Sequence, residues 1–263
     1  MSVIEALVLG AIQGLTEFIP ISSSGHLVIA QNFMSGASDH LFLEWINLGT
    51  LLALLFYFRH TIIRIIRRMV EQREYRLAIN ILIAAIPAGL AGFALATIIE
   101  ENSFFSSSWT VVVTLAIVGL ALIILESLPK KQQTTEATMS PGRALTIGLV
   151  QVLALIPGTS RSASTIIAGR LMGLSAAGAA EFSFLVSIPI MCGVIAKLLI
   201  KSTDRIYLID NFTILMVANA AALICGVLSI RFLMAYLQTR PLTVFGWYRV
   251  VLAAVLVVIL LVK

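Results

Sequence analysis

The sequence predicts an all-α integral membrane protein made of two inverted-topology repeats, each a re-entrant helix pair followed by three transmembrane helices. Hydrophobic residues make up 59% of the chain and charged residues 12%, with a mean hydropathy of +1.02. A soluble domain carries about 25% charged residues. Six apolar stretches also have the length and composition of membrane spans. Finally, residues 10–27 and 148–169 each interrupt an apolar helix with glycine, glutamine, proline and serines in the same order.

The first repeat is predicted over residues 1–128. It opens with a re-entrant pair at 1–34, because Pro20 breaks the helix and neither limb reaches the ~20 apolar residues of a full span. Three spans follow, at about residues 41–58, 77–99 and 109–125. The first of them carries Glu44 and Asn47 near its start, which is unusual for a helix that faces lipid.

A polar linker at residues 129–143 is predicted to divide the halves of a single membrane domain. The second repeat, residues 144–263, again begins with a re-entrant pair, at 144–173. Its spans are predicted at about residues 177–195, 212–232 and 247–262. Because each half crosses the membrane an odd number of times, the second half is inverted relative to the first. In transporters, broken helices of such repeats meet near the membrane midplane.

Lysine and arginine set the predicted orientation. Residues 59–76 are strongly basic and the linker at 129–143 carries Lys130, Lys131 and Arg143, so both are placed in the cytoplasm, with both termini outside. No cleavable signal peptide is expected, since Glu5 comes early and no basic region precedes the first apolar run. We therefore expect a multi-pass protein of the cytoplasmic (inner) membrane, with its polar site opening to the outer, periplasmic side. Nucleic-acid binding is not expected, because it requires an exposed basic face.

The first polar break offers acid, amide, hydroxyl and imidazole groups. Gln13 and Glu17 are four residues apart and share a helix face. They could hold a hard divalent cation through oxygen. Glu17 could instead act as a general base, and Gln13 could simply tie helices together. Such groups at membrane depth mark a functional site.

Three serines and a histidine follow Pro20. Ser22, Ser23 and Ser24 could cap a helix, or one of them could be a nucleophile if a base lies within reach. His26 is three residues after Ser23 and near enough for contact on one helical turn. It is a candidate acid or base, with a satisfied hydrogen-bonding residue as the alternative.

The second break carries Arg161 in the segment P-G-T-S-R-S, residues 157–162. Guanidinium offers a fork of donors that matches phosphate oxygens, and the N–H groups of the following helix also favour an anion. An ion pair with Glu17 or Glu181 is the alternative. Together the two breaks suggest phosphate chemistry. The chain has no Gly-rich nucleotide loop, H-E-x-x-H or C-x-x-C motif, so ATP use and zinc hydrolysis are unsupported.

At these positions the chain resembles the bacitracin-resistance family of undecaprenyl-diphosphate phosphatases. The (E/Q)-x-x-x-E helix that runs into P-x-S-S-[ST]-G-H corresponds to residues 13–17 and 20–26. P-G-x-S-R-S-[GA] corresponds to 157–163, and A-x-E-F-S-F to 179–184. Two positions depart from the usual pattern: Gln13 stands where an acid is commoner, and Ala163 where glycine is usual.

The resemblance implies hydrolysis of the terminal phosphate of undecaprenyl diphosphate. The product, undecaprenyl phosphate, is the carrier lipid of peptidoglycan synthesis, and its recycling confers bacitracin resistance. The resemblance also implies a divalent cation, Mg²⁺ or Ca²⁺, with Glu17 and Gln13 as its ligands. The catalytic residues expected are Glu17, Ser23, His26 and Arg161. The residues expected to bind phosphate are Ser22, Ser24, Thr159, Ser160, Arg161 and Ser162.

Several alternatives stay open at this stage. Either Ser23 or a water attacks the terminal phosphorus, and either Glu17 or His26 takes the proton. A polyprenyl-phosphate transporter or flippase on the same scaffold is the second functional hypothesis, because inverted repeats with broken helices suit alternating access. The expected partners are a polyprenyl diphosphate and membrane lipid, and a homodimer is also considered.

Overall fold

Helices account for all the regular secondary structure in the residues that the computed structural model describes, which are 1–31, 34, 40–128 and 134–262. In the first half the helices are α1 (Val3–Glu17), α2 (Ser23–Gln31), α3 (His40–Trp45), α4 (Asn47–Tyr57), α5 (Arg59–Glu71), α6 (Arg76–Ala94), α7 (Ala96–Glu101), α8 (Ser103–Ser106) and α9 (Ser108–Ser127). In the second half they are α10 (Pro141–Gln151), a 3₁₀ turn (Val152–Leu155), α11 (Arg161–Leu171), α12 (Ala176–Ile200), α13 (Ser202–Asp210), α14 (Phe212–Tyr236) and α15 (Thr243–Val262).

Six helical stretches among the described residues are long and apolar enough to cross a membrane. They are His40–Tyr57, Arg76–Ala94, Ser108–Ser127, Ala176–Ile200, Phe212–Tyr236 and Thr243–Val262. The first consists of α3 and α4, joined at Ile46. Large apolar side chains such as Phe93 and Val258 lie exposed along these helices, as expected where lipid is the solvent. The prediction of an all-helical, multi-pass membrane protein is confirmed.

The second span ends earlier than the sequence predicts. It was expected to reach residue 99, but α6 stops at Ala94 and α7 begins at Ala96. Leu95 between them takes φ −101° and ψ 5°, outside the helical region. By contrast, Pro87 does not end α6, which runs through it. The apolar composition on both sides of Leu95 gave no signal of this break.

Two of the predicted segments lie partly outside the described residues. These are the first re-entrant pair, at residues 32 and 33, and the linker, at residues 129–133.

The second half begins three residues earlier than expected, at Pro141. Ser140 caps this helix by accepting a hydrogen bond from the Arg143 N–H. Proline suits the first position of a helix, since its missing N–H would have no partner there.

The first helix of each half packs against the second span of the other half. A Cβ at Gly10 of α1 would lie 2.1 Å from the Ala218 carbonyl oxygen on α14. A Cβ at Gly148 of α10 would lie 2.5 Å from the Ala84 carbonyl oxygen on α6. Glycine is therefore required at both crossings, as is common where membrane helices approach closely. This reciprocal packing brings the turns that follow α1 and α10 into the middle of the protein.

Candidate active site

The two polar breaks meet across the centre of the protein. Ser24, at the start of α2, accepts a hydrogen bond from the Gly158 N–H over 3.1 Å. Ser162, at the start of α11, donates to the Ile19 carbonyl over 3.4 Å. Residues that are far apart in sequence therefore share one polar region, as the sequence predicted for the two broken segments.

Both turns are built around a serine in a left-handed backbone conformation. Ser22 has φ 75° and Ser160 has φ 72°, a region that residues other than glycine seldom adopt. Each hydroxyl caps the next helix: Ser22 accepts from the Gly25 N–H and Ser160 from the Ala163 N–H, both over 3.3 Å. Ser22 therefore acts as a helix cap, which is one of the two roles considered for these serines.

Glu17 is the centre of the site. Its Oε1 accepts from Arg161 Nη2 over 2.5 Å, and its Oε2 accepts from the Ser23 hydroxyl over 2.7 Å. The side chains of Glu17 and Arg161 are only 11% and 19% exposed, so little water screens the ion pair. Three of the predicted catalytic residues thus lie in direct contact. Of the two acids considered as partners of Arg161, Glu17 makes the pair, while Glu181 lines a separate cavity with Arg64.

Gln13 contacts Glu17 as expected, but through its N–H group. Its Nε2 donates to Glu17 Oε2 over 3.1 Å and to Asn47 Oδ1 over 2.9 Å. Asn47 was not among the predicted site residues, although its polarity in an apolar span was a signal.

This arrangement does not fit joint coordination of a cation by Gln13 and Glu17. A divalent cation needs free oxygen ligands, whereas Gln13 presents an N–H and both Glu17 oxygens already accept hydrogen bonds. Across the described ranges, no three Asp, Glu, His or Cys side chains cluster closely enough to hold a metal. A cation-binding role for Gln13 and Glu17 stays a prediction.

His26 is fixed by Ser22 and Tyr248 rather than by Ser23. Its Nδ1 lies 2.7 Å from the Ser22 carbonyl oxygen, and its Nε2 lies 2.7 Å from the Tyr248 hydroxyl. Because a carbonyl can only accept, Nδ1 carries the hydrogen and the neutral ring accepts from Tyr248 through Nε2. The two rings also stack, with centroids 5.6 Å apart. The Ser23 hydroxyl donates to Glu17, so the structure does not show the expected contact between Ser23 and His26.

Arg249 is a further polar residue at the site that the sequence analysis missed. It belongs to α15 and is fully buried. Its guanidinium donates to backbone carbonyls on both turns, including Pro20 over 3.4 Å and Gly158 over 2.6 Å. Thr159, a predicted phosphate-binding residue, is also buried and accepts from Arg249 through its carbonyl. A charged residue inside a predicted span was the available signal.

Comparison with known proteins identifies the family. The profile of the family described as bacitracin resistance protein BacA matches residues 6–255. A protein of Acinetobacter baumannii named undecaprenyl-diphosphatase is 39% identical over 265 residues, covering 97% of this chain and 95% of its own length. Undecaprenyl-diphosphatase 1 of Agrobacterium fabrum is 37% identical over 264 residues, covering 99% and 98%. Undecaprenyl-diphosphatase of Nitrosomonas europaea is 36% identical over 252 residues, covering 94% and 90%.

The match extends over nearly the whole chain and includes both polar breaks. The matched residues contain Glu17, Ser23, His26 and Arg161, so the family likeness covers the site as well as the membrane helices. The chain belongs to the bacitracin resistance protein BacA family.

Proposed function

We propose that this chain hydrolyses the terminal phosphate of undecaprenyl diphosphate, giving undecaprenyl phosphate and inorganic phosphate. The product returns to peptidoglycan synthesis as carrier lipid, and this recycling confers bacitracin resistance. The name undecaprenyl-diphosphatase, which the relatives carry, supports this activity. The contact that carries the proposal is the Glu17 carboxylate, which holds a serine hydroxyl on one oxygen and a guanidinium on the other.

Ser23 is the proposed nucleophile and Glu17 its base. Glu17 takes the hydroxyl proton as the Ser23 oxygen bonds to the terminal phosphorus, and the bond from that phosphorus to the bridging oxygen breaks. Undecaprenyl phosphate leaves as an anion. Water then adds to the phosphoserine, and the seryl oxygen leaves and recovers the proton held by Glu17. Inorganic phosphate keeps both hydrogens of the water, so the cycle returns the enzyme unchanged.

Arg161 and the two helix N-termini are proposed to bind the diphosphate. Arg161 uses Nη2 toward Glu17, and a guanidinium has five N–H donors in all, so it can pair with the acid and still reach phosphate oxygens. The first turns of α2 and α11 add backbone N–H groups, which have no acceptor within their helices. These donors supply the positioning and charge stabilisation that carry most phosphoryl-transfer catalysis. The remaining residues proposed around the phosphates are Ser22, Ser24, Thr159, Ser160 and Ser162.

His26 is proposed to stabilise a phosphate oxygen. Both of its ring nitrogens are hydrogen-bonded, so Nε2 would have to be protonated and leave the Tyr248 hydroxyl in order to donate to that oxygen. When bound, a divalent cation, Mg²⁺ or Ca²⁺, would add positive charge against the diphosphate.

The scaffold is proposed to be two inverted repeats, residues 1–128 and 144–263, each opening with a re-entrant pair. At 1.5 Å per residue, the 15 residues of α1 extend about 22 Å, less than the ~30 Å hydrocarbon core. Reciprocal packing at Gly10 and Gly148 supports the repeat relationship. We further propose that the site opens to the periplasmic side of the inner membrane and that the polyprenyl tail stays in lipid. A homodimer remains a prediction.

Phosphate release by the detergent-purified protein tests this proposal. With undecaprenyl diphosphate and Mg²⁺ or Ca²⁺ present, we expect inorganic phosphate and undecaprenyl phosphate in equal amounts. No gradient exists in detergent, so turnover there supports an enzyme. The proposal fails if monodisperse protein releases no phosphate, and carrier-lipid movement in vesicles of the same preparation would then favour a flippase.

A further inference from the structure

Arg249 is a buried charge, and within the described part of the chain its hydrogen-bond partners are backbone carbonyls. Its side chain is 0% exposed, and it lies within α15, which is otherwise strongly apolar. Burying a guanidinium is costly unless hydrogen bonds replace its water. Five carbonyls accept hydrogen bonds from the guanidinium, at donor–acceptor distances of 2.6 to 3.5 Å. They belong to Pro20, Thr114, Leu115, Gly158 and Thr159.

These carbonyls come from both halves of the chain. Pro20 belongs to the turn that leads to Ser23, while Gly158 and Thr159 belong to the turn that leads to Arg161. One planar guanidinium therefore joins the two turns directly. A fork of donors can reach several carbonyls in fixed directions at once, which the point charge of an ammonium group does less well.

The second turn has little freedom to move once Arg249 holds it. Gly158 has φ +87°, and a Cβ there would lie 2.1 Å from the Thr114 hydroxyl oxygen. Thr114 itself donates to the Pro157 carbonyl over 2.7 Å. Side chains of α9 and α15 thus donate hydrogen bonds to three consecutive carbonyls of one turn, from Pro157 to Thr159. The next residue is Ser160, with its positive φ.

Holding a carbonyl also fixes the direction of the next N–H. In a trans peptide the carbonyl and the following N–H point to opposite sides. The Thr159 carbonyl faces Arg249, so the Ser160 N–H points away from Arg249, at the N-terminus of α11. Ser23 and Arg161 each follow directly after one of the two left-handed serines, so their placement depends on the backbone that Arg249 holds.

We propose that Arg249 is a positioning residue for phosphoryl transfer, because it keeps the two turns in register so that Ser23 and Arg161 meet at Glu17. The inference rests on the proposed phosphatase activity. A displacement of about 1 Å in a reacting group can cost on the order of 10²-fold in rate. The polyprenyl tail is proposed to lie in lipid, away from this contact, so we expect the effect to fall mainly on kcat.

Arg249→Lys tests this role, because it keeps the charge and removes the fork. We expect kcat to fall by at least tenfold in monodisperse protein while KM stays within threefold of wild type. The matched control is Arg240→Lys, where the guanidinium is exposed on the Tyr236 ring, and it should retain full activity. A kcat within threefold of wild type in monodisperse Arg249→Lys protein would overturn the inference.

Thr114→Val decides the matter if Arg249→Lys does not fold. It removes the hydroxyl tether from the Pro157 carbonyl without disturbing a buried charge, and we expect kcat to fall at least threefold with KM unchanged. Unchanged kcat in Thr114→Val protein would contradict the proposal that catalysis requires this turn to be fixed. Failure of the proposed function would look different, because wild-type protein itself would then release no phosphate.

Discussion

The Ser23 hydroxyl lies 2.7 Å from Glu17 Oε2, joining the residue that starts α2 to the last residue of α1. The residues between them form the turn that contains Pro20 and Ser22. Because an ionised carboxylate can only accept, the hydrogen bond runs from the hydroxyl to the acid. This is the direction in which a proton would leave a serine nucleophile, so the contact supports the proposal that Glu17, and not His26, is the base for Ser23.

Ser23→Ala should abolish turnover if the serine attacks phosphorus. We expect kcat to fall on the order of 10³-fold or more, since a missing nucleophile removes the whole covalent route. Acid-quenched wild-type enzyme should carry phosphate on Ser23, detectable by mass spectrometry. Ser127→Ala is the matched control, because Ser127 is exposed and its hydroxyl donates to the Ile124 carbonyl of its own helix. Residual activity above about a tenth of wild type, with no phosphoserine trapped, would show that water attacks instead.

Glu17→Gln should leave the protein folded but inactive. The amide keeps the shape of the side chain, yet it cannot take the Ser23 proton or balance Arg161. Loss of a general base typically costs about 10²–10⁴-fold in rate. Phosphate release is to be compared with Glu71→Gln, which makes the same change on the exposed surface of α5. Near-normal turnover at saturating divalent cation would end the role proposed for Glu17.

Much of the site was predictable from the cost of burying polar groups. Glu17, Ser23 and Arg161 stand out in the sequence because such side chains at membrane depth need partners, and the structure brings them together. The six spans were predictable for the same reason, from length and hydropathy.

Other features could not be read from the sequence. Arg249 contacts carbonyls that are 90 to 229 residues away, and a carbonyl is present at every residue, so no side-chain pattern reveals the match. The amide orientation of Gln13 depends on Asn47, a contact across 34 residues. The helix break at Leu95 leaves no trace in the surrounding apolar sequence.

Gln13→Glu separates the two roles considered for Gln13. If a divalent cation binds on this face, a second carboxylate should lower the cation concentration needed for half-maximal activity while preserving turnover. If Gln13 acts only as a donor to Glu17 and Asn47, two acids will face one another and activity will fall. Mg²⁺ and Ca²⁺ titrations of phosphate release measure this, with Gln13→Met reporting the loss of the hydrogen bonds alone. A folded but inactive Gln13→Glu protein would count against the cation site.

The predicted orientation can be tested by labelling cysteines from either side of the membrane. Arg68 on the basic helix α5 is expected in the cytoplasm, and Phe105 on α8 is expected outside. Single cysteines at these positions, in a chain with Cys192 and Cys225 replaced by serine, should react with a membrane-impermeant reagent from opposite sides. Labelling of both from the same side would contradict the proposed topology, and retained phosphatase activity confirms that each variant is folded.

Arg161→Lys distinguishes phosphate binding from simple charge balance. Lys keeps the positive charge that faces Glu17 Oε1 in the wild type, where the distance from Arg161 Nη2 is 2.5 Å. It loses the planar fork that can bind two phosphate oxygens at once. Removing a preorganised donor of this kind typically costs about 10²–10³-fold in rate, or roughly 3–4 kcal/mol, so we expect kcat/KM to fall by that amount in folded protein.

Arg240→Lys serves as the control for Arg161→Lys, since it makes the same change at an exposed guanidinium. Both variants are checked for monodispersity before phosphate release is measured. If Arg161 only balances Glu17, the ammonium group will serve nearly as well, because the ion pair needs charge rather than shape. A loss smaller than about threefold, which is under 1 kcal/mol, would therefore assign Arg161 to charge balance and leave the helix N-termini as the main phosphate donors.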